Sequence, residues 1–149
     1  MRLMRMTDYA MRLLMYVAHN PGRLCTIREI AEAYGISNAH LTKITHRLGL
    51  AGILDTVRGR GGGMRLSAAP ADISLGAVVV AIEPDFALVE CFATGRSCVL
   101  TGRCHLNGIL AGALEAFLAH LGRYSLADLI QEHWAPAGTR RRRRLMAAP

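Results

Sequence analysis

Acidic residues, aromatic residues and long apolar runs are all scarce in this sequence of 149 residues. Asp and Glu total 11 against 18 Lys and Arg, which gives a formal net charge of +7. Aromatic residues make up 5% of the chain, and no uninterrupted apolar run exceeds that of residues 77–82. A membrane-spanning helix needs about 20 predominantly apolar residues. The short runs therefore predict that the chain does not cross a membrane.

The start of the chain, MRLMRMTDYAMRLL, also lacks an unbroken apolar segment, because Asp8 and Arg12 interrupt it. A secretory signal peptide needs such a segment. Hydrophobic residues still make up 52% of the chain, which is enough to build a buried core and argues against disorder. We therefore expect a soluble, cytoplasmic protein of ordinary domain size.

The positive charge is concentrated at the two ends of the chain. Residues 1–66 carry ten basic and four acidic side chains, whereas residues 67–139 carry three basic and seven acidic ones. The rest of the excess is the arginine run 140–144, which we expect to lie in a disordered tail. A basic N-terminal half is typical of a nucleic-acid-binding surface.

Two short helices in the basic half are predicted to form a helix-turn-helix. Thr26 and Glu29 have the spacing of a capping box at the start of a helix over residues 27–34. Gly35 suits a left-handed exit from that helix, and Ser37 is expected to cap the next one. This second helix ends near residue 49 and carries on its inner side Leu41, Ile44 and Leu48.

A basic hairpin is predicted directly after these helices. Residues 53–57 and 64–66 form two short strand candidates around the segment RGRGGG at 58–63. Glycines tolerate positive φ, so this segment predicts a tight hairpin with Arg58 and Arg60 at its tip. A helix-turn-helix followed by such a hairpin is the layout of a winged helix.

Besides a short C-terminal helix, three helices are predicted outside the helix-turn-helix. They cover about residues 8–19 with Thr7 as the cap, residues 75–82, and residues 105–121. The last carries a broad apolar stripe at helical spacing, made of Leu106, Ile109, Leu110, Ala113, Leu114, Phe117, Leu118 and Leu121. A small winged helix cannot cover this stripe alone, so it predicts pairing with a second subunit.

The expected fold is mainly α with a small β-wing, a winged helix-turn-helix plus a long dimerisation helix. We divide the chain into four parts. These are the DNA-binding domain (1–84), a cysteine loop (85–104), the dimerisation helix with a short C-terminal helix (105–134) and the disordered Arg-rich tail (135–149).

Three of the four cysteines cluster within the predicted loop. They are Cys91, Cys98 and Cys104. In a reducing cytosol such a cluster indicates metal binding or redox activity rather than disulfides. Arg96, Arg103 and the start of the following helix favour thiolates and offset an anionic cluster. An iron–sulfur cluster, a zinc site, a thiol switch and inert buried thiols are all consistent with the spacing. Cys25 is expected to be a small buried residue without a role at this site.

From residue 1 to about residue 130, the sequence resembles the NsrR-type transcriptional repressors, winged-helix proteins with an iron–sulfur cluster that senses nitric oxide. The matching segments are TDYA at 7–10, SNAHLTK at 37–43, VRGRGGG at 57–63, the three clustered cysteines and YSLADL at 124–129. The sister group of IscR regulators carries a histidine where this chain has Asn107. The arginine run at 140–144 lies outside the family pattern.

The resemblance implies a 4Fe-4S or 2Fe-2S cluster held by the three clustered cysteines. It also implies a fourth ligand from the other subunit of a homodimer, for which Asp8 is the candidate. His105, which follows Cys104 where relatives usually carry arginine, is the rival ligand. An acidic residue in a first helical turn also stabilises a helix by itself, so both roles are open for Asp8.

The resemblance further implies a repressor that holds an operator and releases it when nitric oxide attacks the cluster. A symmetric dimer requires an inverted repeat in double-stranded DNA. The residues expected to contact it are Asn38, His40, Thr42, Lys43 and Arg47 in the recognition helix, and Arg58 and Arg60 in the wing.

Two other functions remain as alternatives. A regulator of the same class could sense iron supply or redox state through the same cysteines. An electron-transfer protein or enzyme with a cluster is disfavoured by the basic N-terminal half and by the lack of an acid–base constellation. The single histidines stand without an obvious carboxylate or nucleophile, so we expect no enzyme.

Overall fold

The helices and strands follow one another in the order of a winged helix. The computed structural model describes residues 3, 5–83, 85, 86, 92 and 105–130. The elements are α1 (Arg5–Ala18), α2 (Ile27–Tyr34), α3 (Asn38–Leu50), β1 (Leu54–Val57), β2 (Gly63–Leu66), α4 (Leu75–Ile82) and α5 (His105–Gly122). Two short 3₁₀ helices cover Pro70–Asp72 and Leu126–Leu129. The predicted fold class is confirmed, whereas the dimer role of α5 stays a prediction.

Most of the predicted cysteine loop and the whole Arg-rich tail lie outside the described residues. The three clustered cysteines belong to this part of the chain. The four-part division therefore stays a prediction. The described segment after α5 packs back onto the winged helix, since Leu126 is fully buried and its backbone N–H donates to the carbonyl of Ile73.

Local capping fixes the ends of the helix-turn-helix, although only half of the predicted capping box forms, because the Glu29 carboxylate binds Arg23 instead of the Thr26 backbone. The hydroxyl of Thr26 accepts the Glu29 backbone N–H at 3.3 Å, which caps α2. Gly35 has a φ of 65°, which a residue with a side chain rarely adopts, and it ends α2 with a sharp turn. Ser37 then caps α3 by accepting the backbone N–H of His40. The turn between the two helices is short because both ends are capped locally.

The start of α1 differs from the prediction. The helix begins at Arg5, and Thr7 lies inside it with 2% of its surface exposed. The Thr7 hydroxyl donates to the carboxylate of Glu83, which directly follows α4. The expected N-cap at Thr7 is therefore wrong, because the helix starts two residues earlier and its third residue is not at the capping position.

The core lies between α1, α3, α4 and the wing. Its largest fully buried side chains include Leu13, Leu14, Ile30, Leu41, Ile44, Leu48, Met64, Ile82 and Leu126. Each aliphatic side chain of this size contributes about 1.5–3 kcal/mol when it is fully buried. The three residues predicted for the inner side of the recognition helix are all among them, so that prediction is confirmed.

A third strand-like segment anchors the wing. Strands β1 and β2 pair antiparallel, and Cys25 exchanges backbone hydrogen bonds of 2.8 Å and 2.7 Å with Met64 of β2. A Cβ at Gly63 would lie 2.6 Å from the carbonyl oxygen of Cys25, so only glycine allows this approach. The Cys25 side chain is fully buried, as predicted, and this burial raises its pKa to about 11.

The helix α5 packs through one side on α4 and leaves the other side open. A Cβ at Gly76 would lie 3.0 Å from the backbone nitrogen of Gly122, so the two helices cross closely at this point. No residue of α5 is buried, and the apolar Leu106 and Ile109 are 55% and 68% exposed. Among the described residues, no helix is long and apolar enough to cross a membrane.

Candidate nucleic-acid interface

The outer face of α3 carries the polar side chains that the sequence predicts as DNA contacts. Because the inner positions of the helix are buried, the intervening positions Asn38, His40, Thr42 and Lys43 point outward, and all four are exposed. The Thr42 hydroxyl donates to the carbonyl of Asn38 at 2.8 Å. The helix contains no acidic residue. Its first two turns therefore present amide, imidazole, hydroxyl and ammonium groups without a nearby carboxylate on the same helix.

His40 is held by two neighbours at the start of this face. The hydroxyl of Ser37 lies 2.8 Å from its Nδ1. The ring of Tyr9, which belongs to α1, lies 5.9 Å from the imidazole between centroids and is tilted by 58°. From the sequence, Ser37 is expected to act as a cap, and no role at this site is assigned to Tyr9. No spacing rule connects residues 9 and 40, so the ring contact could not be predicted.

The wing places Arg58 and Arg60 at its exposed tip. Gly59 and Gly61 have φ values of 96° and 78°, which residues with side chains rarely adopt. A Cβ at Gly62 would lie 2.2 Å from the carbonyl oxygen of Val57, so the turn closes tightly between the strands. The glycines thus project both arginines away from the core on a narrow hairpin.

The cations on the outer face of α3 and at the wing tip differ from four other arginines of the basic half. Those four lie within 3.3 Å of a carboxylate, in the ion pairs Arg12–Asp8, Arg23–Glu29, Arg28–Glu32 and Arg65–Asp55. In the part of the chain that the structure describes, Lys43, Arg58 and Arg60 form no ion pair. Cations without an internal partner are available to neutralise phosphates.

Arg47 differs from the other predicted DNA contacts. It is half-buried, and its guanidinium donates to the backbone carbonyl of Ile82 at the end of α4. The side chain thereby joins the C-terminal half of the recognition helix to the end of α4. Its contact with DNA stays a prediction.

The two candidate fourth ligands of the cluster lie on exposed surfaces. Asp8 has 55% of its side chain exposed and pairs with Arg12 at 3.0 Å on the same helix. It also borders a mainly apolar groove of about 350 Å³ between α1, α4 and the end of α5. His105 is exposed at the first position of α5. Within the described ranges no three metal-binding side chains come together, and the clustered cysteines lie outside them.

Comparisons with known proteins agree on a class of regulator. Residues 3–132 match the model of a family described as Rrf2, iron-dependent transcriptional regulator. The HTH-type transcriptional regulator NsrR of Bacillus subtilis is 47% identical over 133 residues, which cover 88% of this chain and 91% of the relative.

Two solved structures share the fold at lower sequence identity. CymR, the global cysteine regulator of Bacillus subtilis, matches with a TM-score of 0.67 and 21% identity, over 87% of this chain and 95% of that one. IscR of T. potens matches with a TM-score of 0.64 and 22% identity, over 87% and 85%. At this identity the likeness concerns the fold alone.

Proposed function

The chain belongs to the Rrf2 family of transcriptional regulators and is therefore a DNA-binding regulator rather than an enzyme, and from this premise we propose that it is a homodimeric repressor whose iron–sulfur cluster responds to nitric oxide. The observation that carries the DNA-binding part is the row of unpaired cations and exposed polar side chains on α3 and the wing. The resemblance to NsrR regulators supports the signal.

In the proposed complex, the N-terminal half of α3 enters the major groove. Asn38, His40 and Lys43 meet base edges there, and Thr42 meets a phosphate. The wing arginines reach the backbone or the minor groove, where guanidinium groups bind well. A two-fold dimer places two such helices on an inverted repeat with half-sites about one helical turn apart.

The described residues are compatible with a cluster site shared by two subunits. Cys91, Cys98 and Cys104 would supply three thiolates, and iron–sulfur clusters normally take four ligands. Asp8 has an exposed carboxylate at the edge of an open groove, so a second chain can reach it. His105 is exposed as well and remains the rival for the fourth position. When bound, the cluster supplies iron with which nitric oxide reacts.

The ion pair between Asp8 and Arg12 would be exchanged for another contact in the proposed switch. The Asp8 carboxylate would either pair with Arg12, as in the structure, or bind the cluster of the other subunit. The next residue, Tyr9, contacts the ring of His40 in the recognition helix. A change in the partner of Asp8 would therefore occur next to Tyr9, which contacts the proposed DNA-reading face through His40. This is the element through which the cluster site and the DNA site would be coupled.

A visible spectrum of the anaerobically purified protein tests the cluster directly. We expect brown protein that contains iron and acid-labile sulfide. Cys→Ser substitution at any of the three clustered cysteines should bleach it, whereas Cys25→Ser should leave the colour. Colourless protein with stoichiometric zinc would rule out the proposed cofactor.

Operator release tests the signal and the link through Asp8. Stoichiometric nitric oxide should release the wild-type protein from its operator. Asp8→Ala should fold, because an exposed ion pair contributes at most about 1 kcal/mol. It should keep some cluster but lose the response of DNA affinity to nitric oxide. A full response would exclude the cross-subunit tie and make His105→Ala the next variant. Release by iron chelation or oxidation, but not by nitric oxide, would instead favour sensing of iron supply or redox state.

A further inference from the structure

We propose that Ser37 sets which base edge the recognition helix reads, because its hydroxyl fixes the tautomer of the His40 imidazole. The inference rests on the proposed DNA-binding mode and concerns the position of one proton. Ser37 lies 2.8 Å from Nδ1 of His40 and also accepts the His40 backbone N–H at 3.4 Å. It acts through His40 and is therefore a positioning residue.

Among partners within the chain, the donors and acceptors at Ser37 and His40 leave one arrangement in which the hydroxyl proton stays in the protein rather than turning to solvent. A serine hydroxyl has one proton and two lone pairs. As the N-cap of α3, Oγ already accepts a backbone N–H with one lone pair. If the hydroxyl donates its proton to Nδ1 of His40, both polar atoms of the contact are satisfied. If Nδ1 donated instead, Oγ would accept twice and its own proton would have no partner among the described residues.

The position of the ring at the helix N-terminus favours the same tautomer. The first turn of a helix carries partial positive charge because its backbone N–H groups have no acceptors within the helix. A lone pair at Nδ1 is attracted to this charge, whereas an N–H group at that position is repelled. The neutral His40 imidazole therefore carries its proton on Nε2.

The outward nitrogen of His40 is then a hydrogen-bond donor. The side chain is exposed, and no group in the described part of the chain hydrogen-bonds Nε2. The ring of Tyr9 packs beside the imidazole and limits the directions in which it can turn. The recognition helix thus presents an oriented N–H group rather than a lone pair.

A fixed donor selects bases by the acceptors in the major groove. Guanine offers O6 and N7, adenine offers N7, and thymine offers O4, whereas cytosine offers an amino donor. At the position that faces His40, we therefore expect the protein to favour guanine and to reject cytosine. With the opposite tautomer, Nε2 would be an acceptor, and cytosine would be favoured over guanine instead.

The tautomer can be measured on the free protein. Long-range ¹H–¹⁵N correlation spectra of the full-length ¹⁵N-labelled chain at pH 8 report which ring nitrogen carries the proton, and His40→Gln assigns the signals. We expect Nε2 to be protonated and Nδ1 to be bare. A proton on Nδ1 would overturn the proposal whether or not the protein binds DNA.

Three variants separate the hydroxyl proton from helix capping. Ser37→Thr keeps the hydroxyl and should keep the tautomer. Ser37→Ala should populate both tautomers. Thr26→Ala is the matched control, because it removes the equivalent cap of α2 without touching His40 and should leave the His40 signals unchanged. A shift in this control as large as that in Ser37→Ala would reduce Ser37 to a structural role.

Selection from a pool of random DNA duplexes tests the consequence. The wild-type protein and Ser37→Thr should select the same sequence. Ser37→Ala should relax the preference for guanine over cytosine at one base pair of each half-site by about tenfold, with the other positions unchanged. If the wild-type protein selects no sequence, the proposed function fails. If it selects one and His40→Gln selects the same one, the proposed function stands and the role of His40 and Ser37 is excluded.

Discussion

At the residue scale, burial keeps the thiol of Cys25 protonated in the folded protein. The thiolate is the reactive form of cysteine, and burial raises the pKa of Cys25 from 9.0 to about 11. We expect Cys25 in the folded protein to resist iodoacetamide at pH 8 while it reacts promptly in urea. Mass spectrometry of alkylated peptides measures this. Fast labelling of Cys25 under native conditions would show that the wing anchor opens often.

The same pKa shift predicts a loss of stability at alkaline pH. The folded state holds the Cys25 proton up to about pH 11, whereas the unfolded chain releases it near pH 9. The contribution of the protonated Cys25 thiol to the free energy of unfolding is fully present below pH 9 and is lost as the pH rises through 11. The free energy of unfolding falls over this range by at most about 1.4 kcal/mol per pH unit. Burial also raises the pKa of Tyr34, which continues the loss at higher pH. In urea titrations between pH 9 and 11, the free energy of unfolding should therefore fall less steeply for Cys25→Ala than for the wild-type protein.

At the scale of elements, the close crossing of α4 and α5 depends on Gly76. A Cβ there would lie 3.0–3.2 Å from the backbone of Gly122 and the carbonyl oxygen of Leu118, and backbone atoms cannot rotate away. Gly76→Val should lower the free energy of unfolding by about 1–3 kcal/mol. Gly49→Ala is the control, because its Cβ would meet Leu54 at 3.8 Å and should not destabilise α3. Equal stability of both variants would contradict the crossing.

The contact between Arg47 and Ile82 joins two elements in a similar way. Arg47→Met keeps the aliphatic stem but leaves the carbonyl of Ile82 without this donor. The free energy of unfolding should fall by about 1–3 kcal/mol, as for other hydrogen bonds to charged groups. Lys43→Met, on the exposed face of the same helix, should change it by less than about 0.5 kcal/mol. Chemical denaturation of both variants makes the comparison.

What the sequence could predict depended on how far apart the interacting residues lie in the chain. The caps at Thr26 and Ser37 use groups three residues away, so their pattern is visible in the sequence. The Thr7 hydroxyl instead meets a carboxylate 76 residues later, and Arg47 meets a carbonyl 35 residues later. Such pairs depend on tertiary packing. The exposed residues of the candidate interface were predictable because they depend on the local sequence. The contact between Tyr9 and His40 depends on tertiary packing and was not predictable.

At the scale of the whole molecule, the long helix α5 has more apolar surface than its own chain covers. Its 18 residues include none that are buried, and the stripe predicted from the sequence is half-covered at most positions. A helix of this length spans about 27 Å. Two such helices, together with the groove beside α1, offer a surface suited to the interface of about 1,200–2,000 Å² that a stable dimer needs. The proposed role of Asp8 at the other subunit's cluster requires such a dimer as well.

A charge introduced into this surface should therefore separate the subunits. Ile109 is 68% exposed in the single chain, so Ile109→Glu should leave the fold intact and oppose only the burial of α5 against a second copy. We expect the wild-type protein to sediment as a dimer at micromolar concentration and the variant as a monomer with an unchanged thermal transition of the winged helix.

Leu50→Glu is the matched control. Leu50 is 77% exposed at the end of α3, so a charge there should leave the dimer intact. A wild-type monomer, or dissociation by both variants alike, would contradict pairing through α5. If the wild-type protein is a monomer, no preformed dimer can read the operator as an inverted repeat, and Asp8 cannot act as the fourth ligand of a cluster on a second subunit.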